Sequence, residues 1–151
     1  MYLLLRPPRQ AWLLSLIMFL AYSCHIHLVP TYSPELEQQI ADAAKATDRL
    51  YLQIIDADEG NRTYAQFKDA YIQIETEINS ILLKNEARDK NADFLKIIDN
   101  LKKAFTEAKD FHKTNNTLRQ GEAKGYQATL AGFWAPLYIA EMALKDPKPK
   151  S

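Results

Sequence analysis

Cysteine occurs once in the 151 residues, at Cys24, and glycine only four times. One thiol excludes an internal disulfide framework and any zinc site built on several cysteines. Scarce glycine goes with the lack of a glycine-rich phosphate loop, and no Gly-x-Ser-x-Gly element is present. Neither sign of charge dominates: 19 basic side chains stand against 19 acidic ones. A broad basic face for nucleic acid is therefore not expected. No strand-like alternation and no internal repeat competes with a helical pattern. The longest apolar run, within residues 11–22, is too short for a comfortable membrane span, which needs about 20 residues.

What is abundant is Ala, Leu, Ile, Lys, Glu and Gln, a helix-favouring set. The chain opens MYLLLRPPRQ and continues AWLLSLIMFLAYSC. Arg6 and Arg9 precede the apolar stretch, and small residues close it. A basic start, a short apolar centre and a small-residue exit predict a secretory signal peptide over 1–23. Its end, Ala21-Tyr22-Ser23-Cys24 after Leu20, resembles the lipobox of bacterial lipoproteins. Tyr22 is bulkier than that pattern favours. The resemblance implies cleavage before Cys24 and acylation of Cys24, palmitate included, with several chains giving permanent anchoring. His25, rather than Asp, follows the cysteine, which points to the periplasmic face of the outer membrane. A plain secretory signal and an uncleaved anchor are the competing readings of this segment.

Without Arg6 and Arg9 the mature chain holds 17 basic and 19 acidic side chains, and it is long enough for one domain with a real core. Residues 24–33 read as a tether, bracketed near its end by Pro30 and Pro34. Ser33-Pro34 is a helix start, a hydroxyl cap followed by proline at the first helical position. The seam Leu36, Ile40, Ala43, Thr47, Leu50, Ile54 and Ala57 then predicts a helix ending near Glu59 and Gly60. A second helix starts at the capping box Thr63-x-x-Gln66, with the seam Tyr64, Phe67, Tyr71, Ile74, Ile78, Ile81 and Asn85. A third is expected over 91–112 on Phe94, Ile98, Leu101, Phe105, Ala108 and His112.

Thr117-x-x-Gln120 reads as another capping box, opening a fourth helix with a less regular face: Leu118, Gly125, Tyr126, Thr129, Phe133, Leu137, Ala140 and Leu144. Pro136 lies inside it. Proline removes one helical hydrogen bond and crowds the carbonyl four residues earlier, here that of Gly132. A kink over 132–136 is expected, without a break. Four segments of similar length with short connections predict an all-α fold over 34–145, an antiparallel up-down-up-down four-helix bundle. Residues 146–151, DPKPKS, are expected to be a disordered tail.

The chemistry such a fold can host is sparse in this sequence. No Glu-x-x-His pair is present for a di-iron site. His25-x-His27 lies in the tether, and His112 and Met142 are expected at opposite ends of the bundle, too far apart to share an iron. No metal and no cofactor is expected. His112 is expected to close a seam beside Asp56, Asp58 or Glu59. The stretch GFWAPLYIAEMAL is apolar nearly all round, so it is either central or meets a partner. Phe133, Trp134 and Tyr138 are the candidate surface for a protein partner, for self-association or for a ligand, since buried Trp and Tyr are common interface anchors. The expected function is that of a membrane-anchored, non-enzymatic lipoprotein acting through protein contact. A carrier of a small apolar ligand or metal is the alternative, and a hydrolytic enzyme a distant third.

Overall fold

A computed structural model of the chain describes residues 29–146. Among them are four long helices and no strand: α1, Pro34–Asp56; α2, Tyr64–Glu86; α3, Ala92–Asn115; and α4, Gln120–Ala143. The expected signal peptide over 1–23, Cys24, His25-x-His27 and residues 147–151 of the expected disordered tail lie outside the described residues.

Each helix starts and stops for a local reason. Ser33 Oγ accepts from the Leu36 N–H at 3.2 Å, Pro34 occupies the first turn, and Glu35 and Glu37 lie at the positive end of the helix. α1 ends at Asp56, short of Glu59, because a short 3-10 turn over Glu59–Asn61 takes up the chain. The Thr63 N–H donates to Gln66 Oε1 at 3.3 Å at the head of α2, as the capping-box spacing predicts. α3 runs past His112 to Asn115 and stops where Asn116 turns left-handed, at φ 54°. Asparagine tolerates that conformation better than most residues.

The start of α4 differs from the expectation. The helix begins at Gln120, not after Thr117, and the pair that closes its first turn is Arg119 and Glu122, whose Oε2 accepts the Arg119 N–H at 2.8 Å. Leu118 is fully buried, so the chain just ahead of the helix runs extended to carry it into the core. Pro136 lies inside α4, and the helix continues through it to Ala143.

One core is shared by all four helices. α1 contributes Leu36, Ile40, Ala43, Leu50, Tyr51 and Ile54, and α2 Tyr71, Ile74, Ile78 and Ile81. All six seam residues expected on α3 are buried. On α4 the buried positions are Ala123, Leu130, Trp134, Leu137 and Glu141. Of the expected fourth face, only Leu118 and Leu137 are among the buried residues. The helix packs on α1 and α3. It is apolar on several sides, so periodicity alone could not fix which side faces in.

Of the expected tether over 24–33, residues 29–33 are among the described residues. Residues 31–33 are fastened to the helices: Arg88 donates to the Thr31 carbonyl, the Ser33 N–H donates to Glu141 Oε1 at 2.9 Å, and the Tyr32 hydroxyl donates to Glu37.

Candidate functional site

Three places bring polar chemistry together. The first lies where the chain enters α1. Glu141, near the end of α4, is completely buried, and its carboxylate faces Arg88 from the α2–α3 connection. Arg88 Nη1 donates to Oε2 at 2.7 Å and Nη2 to Oε1 at 3.2 Å, a two-point pairing. Arg88 Nη1 also donates to Asn85 Oδ1 at 3.1 Å, and the guanidinium lies 5.3 Å from the centre of the Phe94 ring. The cluster thus joins the head of α1, the end of α2, the first turn of α3 and the end of α4. Beside it, Glu37 takes Lys145 at 2.8 Å and the Tyr138 hydroxyl at 3.3 Å. Hydrogen bonding and proximity to Lys145, helped by Tyr32, hold the Glu37 carboxyl below its usual range.

Arg88 and Glu141 are absent from the sequence expectations. The available signal was that Glu141 is the only charged residue between Lys124 and Lys145. A lone charge inside an otherwise apolar helix needs a partner if it is buried.

The second place surrounds His112, which is buried. Its partners are not Asp56, Asp58 or Glu59. Nε2 lies 2.9 Å from the Arg62 carbonyl and Nδ1 3.1 Å from the Tyr71 hydroxyl. A carbonyl only accepts, so Nε2 carries the proton and Nδ1 accepts from Tyr71. The turn after α1 presents a backbone carbonyl to the ring, and the acidic side chains stay outside. Tyr64 lies edge-on to the imidazole, with ring centres 5.7 Å apart. Burial pushes the Tyr51 and Tyr71 hydroxyls far above the usual phenol range, so both remain protonated.

Burial also lowers the pKa of His112 below its ordinary value of 6.5, outweighing the bond to Arg62. The folded protein therefore favours the neutral ring, while the unfolded chain takes up a proton near pH 6.5. The stability this difference contributes is complete above that pH and is lost as pH falls from there toward the lower folded value. Thermal melts at pH 7.5 and 5.5 should show a lower midpoint at 5.5, and His112→Phe should remove part of that difference. An unchanged pH dependence in the variant would mean that His112 titrates alike in both states.

The third place is a groove between α1 and α4, with a volume of about 580 Å³. Small side chains make room for it: Ala41 and Ala44 on α1, Ala131 and Ala135 on α4. Trp134 and Tyr138 line it, with Gln38 and Lys45 at its rim. Trp134 is 3% exposed, and its Nε1–H donates to Thr47 Oγ1 at 3.1 Å, while that hydroxyl donates to the Ala43 carbonyl at 2.9 Å. Of the three candidate surface residues, Trp134 thus belongs to the core and shows only an edge to the groove. Phe133 and Tyr138 are half-buried and pack against the core.

Among the described residues, no three His, Cys, Asp or Glu side chains cluster as metal ligands, and no helix is long and apolar enough to cross a membrane. No family matches the chain, and neither a curated protein nor a solved structure is detectably similar to it.

Proposed function

We propose that this chain is a bacterial envelope lipoprotein, anchored through acylated Cys24 at the periplasmic face of the outer membrane, that acts without catalysis by binding another protein. The observation that carries the reading is the sequence Ala21-Tyr22-Ser23-Cys24 after a basic and apolar leader. The fastened segment supports it. Thr31 lies seven positions beyond Cys24, a reach of at most about 25 Å when extended, so the anchor keeps the helical body near the bilayer.

The proposal includes the finer architecture: an antiparallel up-down-up-down bundle whose fourth helix bends across 132–136. Side-chain pairings support the topology. Glu35 meets Lys84 while Gln39 meets Glu77 and Ser80, so numbers fall along α2 as they rise along α1. Tyr71 with His112 and Glu75 with Lys109 repeat the relation between α2 and α3. Glu37 with Tyr138 and Thr47 with Trp134 repeat it between α1 and α4.

Intact mass and detergent partitioning, run beside Cys24→Ala, test the anchor. The expected result is a di- or triacyl mass increment on a chain starting at Cys24, lost in the variant together with detergent partitioning. A soluble, unmodified chain would overturn it. The groove favours a second reading, carriage of a small apolar molecule, because its volume falls within the roughly 300–1,000 Å³ of small-molecule sites. Trp134 lines it and is the sole tryptophan after Trp12, so intrinsic fluorescence reports on its occupancy.

A further inference from the structure

Three polar side chains stand together in the core without any exposed surface: Tyr51 of α1, Tyr71 of α2 and His112 of α3. His112 Nδ1 accepts from the Tyr71 hydroxyl at 3.1 Å, and the Tyr51 hydroxyl lies close enough to Tyr71 to perturb its ionisation. Yet the Tyr51 hydroxyl neither gives nor receives a hydrogen bond. A buried hydroxyl left unpaired is destabilising, and native structures hold few of them. The Tyr71 oxygen is also free to accept, because its hydroxyl is occupied as a donor.

The surroundings offer no counter-charge to the imidazole. α2 sets Tyr64, Phe67 and Tyr71 around the ring, and α1 contributes Tyr51 beyond Tyr71. The turn after α1 brings Arg62, whose carbonyl faces Nε2 and whose guanidinium donates to the Ala57 and Ile55 carbonyls. α4 offers Tyr126, its ring centre 6.5 Å from that of Tyr51, with Glu122 and Glu107 acting on its hydroxyl. On α3 itself, Lys109 is paired with Glu75 at 2.7 Å, and Lys113 is exposed. Burial and the Arg62 carbonyl are the influences on the imidazole, and no carboxylate is among them. A proton taken up here must be met by hydrogen bonds.

We propose that His112, Tyr71 and Tyr51 form a reversible hydrogen-bond relay, which runs from Tyr71 to the neutral imidazole and, once Nδ1 takes a proton, from the imidazole through Tyr71 to Tyr51. In the second state Nδ1 donates to Tyr71 Oη, and Tyr71 turns its own proton to Tyr51 Oη, so each hydroxyl keeps one proton throughout. The unpaired hydroxyl of Tyr51 is the acceptor held ready for that state. Nε2 carries its proton in both states, so its bond to the Arg62 carbonyl, and the turn which that bond holds, are undisturbed. The core thus takes up a proton in acid while the backbone around it stays closed. The loss of stability with falling pH therefore has a floor, reached below the folded-state titration of His112. This device depends neither on the anchor at Cys24 nor on a partner.

NMR of the imidazole nitrogens in the full chain tests it, with His112→Phe identifying the His112 signals. The parent should show the Nε2–H form at pH 7.5 and should protonate Nδ1 at a midpoint below 6.5 with the fold intact. Tyr51→Phe removes only the acceptor of the second state, so it should lower that midpoint by about one pH unit. It should also raise the melting midpoint at pH 7.5, because an unpaired buried hydroxyl is lost, and that gain should shrink as the pH falls. A tyrosine that merely filled space, or that bonded in the neutral state, would not give both effects. Tyr64→Phe, which keeps its ring beside the imidazole, should leave the titration where the parent has it. An imidazole that stays neutral until the chain unfolds, an unmoved midpoint in Tyr51→Phe, a lower melting midpoint for that variant at pH 7.5, or an equal shift in Tyr64→Phe would each overturn the relay.

Discussion

Arg88→Met should destabilise the protein by about 3–5 kcal/mol, because it leaves the carboxylate of Glu141 buried with no charged partner. That is a large part of the roughly 5–15 kcal/mol that holds a domain of this size folded. Of the three N–H groups that serve Glu141, two come from Arg88 and one from Ser33. One backbone N–H does not replace a guanidinium. The double variant Arg88→Met with Glu141→Leu should recover most of the loss, since paired removal of a buried ion pair is often neutral. Urea unfolding of the two single variants, the double variant and the parent gives the cycle. A cost under about 1 kcal/mol for Arg88→Met would show that water reaches the carboxylate.

Ile78→Asp should abolish the cooperative thermal transition. Ile78 is 1% exposed, midway along α2 in the shared core. Aspartate at that position loses the apolar contact and brings a charge with a side chain too short to reach water. The combined cost is at least about 5 kcal/mol, comparable with the whole stability of the fold. Ile78→Val, which removes one methyl group, should cost only about 1 kcal/mol. Far-UV circular dichroism on heating separates the two. A melt for Ile78→Asp equal to the parent's would remove Ile78 from the core.

The helical segments were legible in the sequence because three of them obey a single period. On α3 every expected core position is buried, and its outer face is charged, so only one orientation works. α4 defeated the same logic. Trp134, Leu130 and Leu137 on one side and Ile139 and Met142 on the other give it two apolar faces, and hydropathy cannot rank them. The Arg88–Glu141 pair joins residues 53 positions apart, and local spacing carries no information about such a contact. His112 falls in the seam that the period of α3 predicts, but its partners depend on a backbone carbonyl at Arg62, which no side-chain pattern reveals. The groove beside Trp134 was foreshadowed only by the cluster of alanines and aromatics near Pro136.

The fastening of residues 31–33 sets how a mechanical load would travel through the molecule. A pull on the chain ahead of Thr31 meets Arg88 and Glu141 before it reaches the first turn of α1. Those two side chains hand the force to the ends of α2 and α4, so three helices bear it together. α1 is thereby shielded from peeling away one turn at a time. The clasp behaves like a strain-relief collar on a cable, and tension falls on the hydrogen bonds of Thr31 and Ser33 before the helices themselves are disturbed.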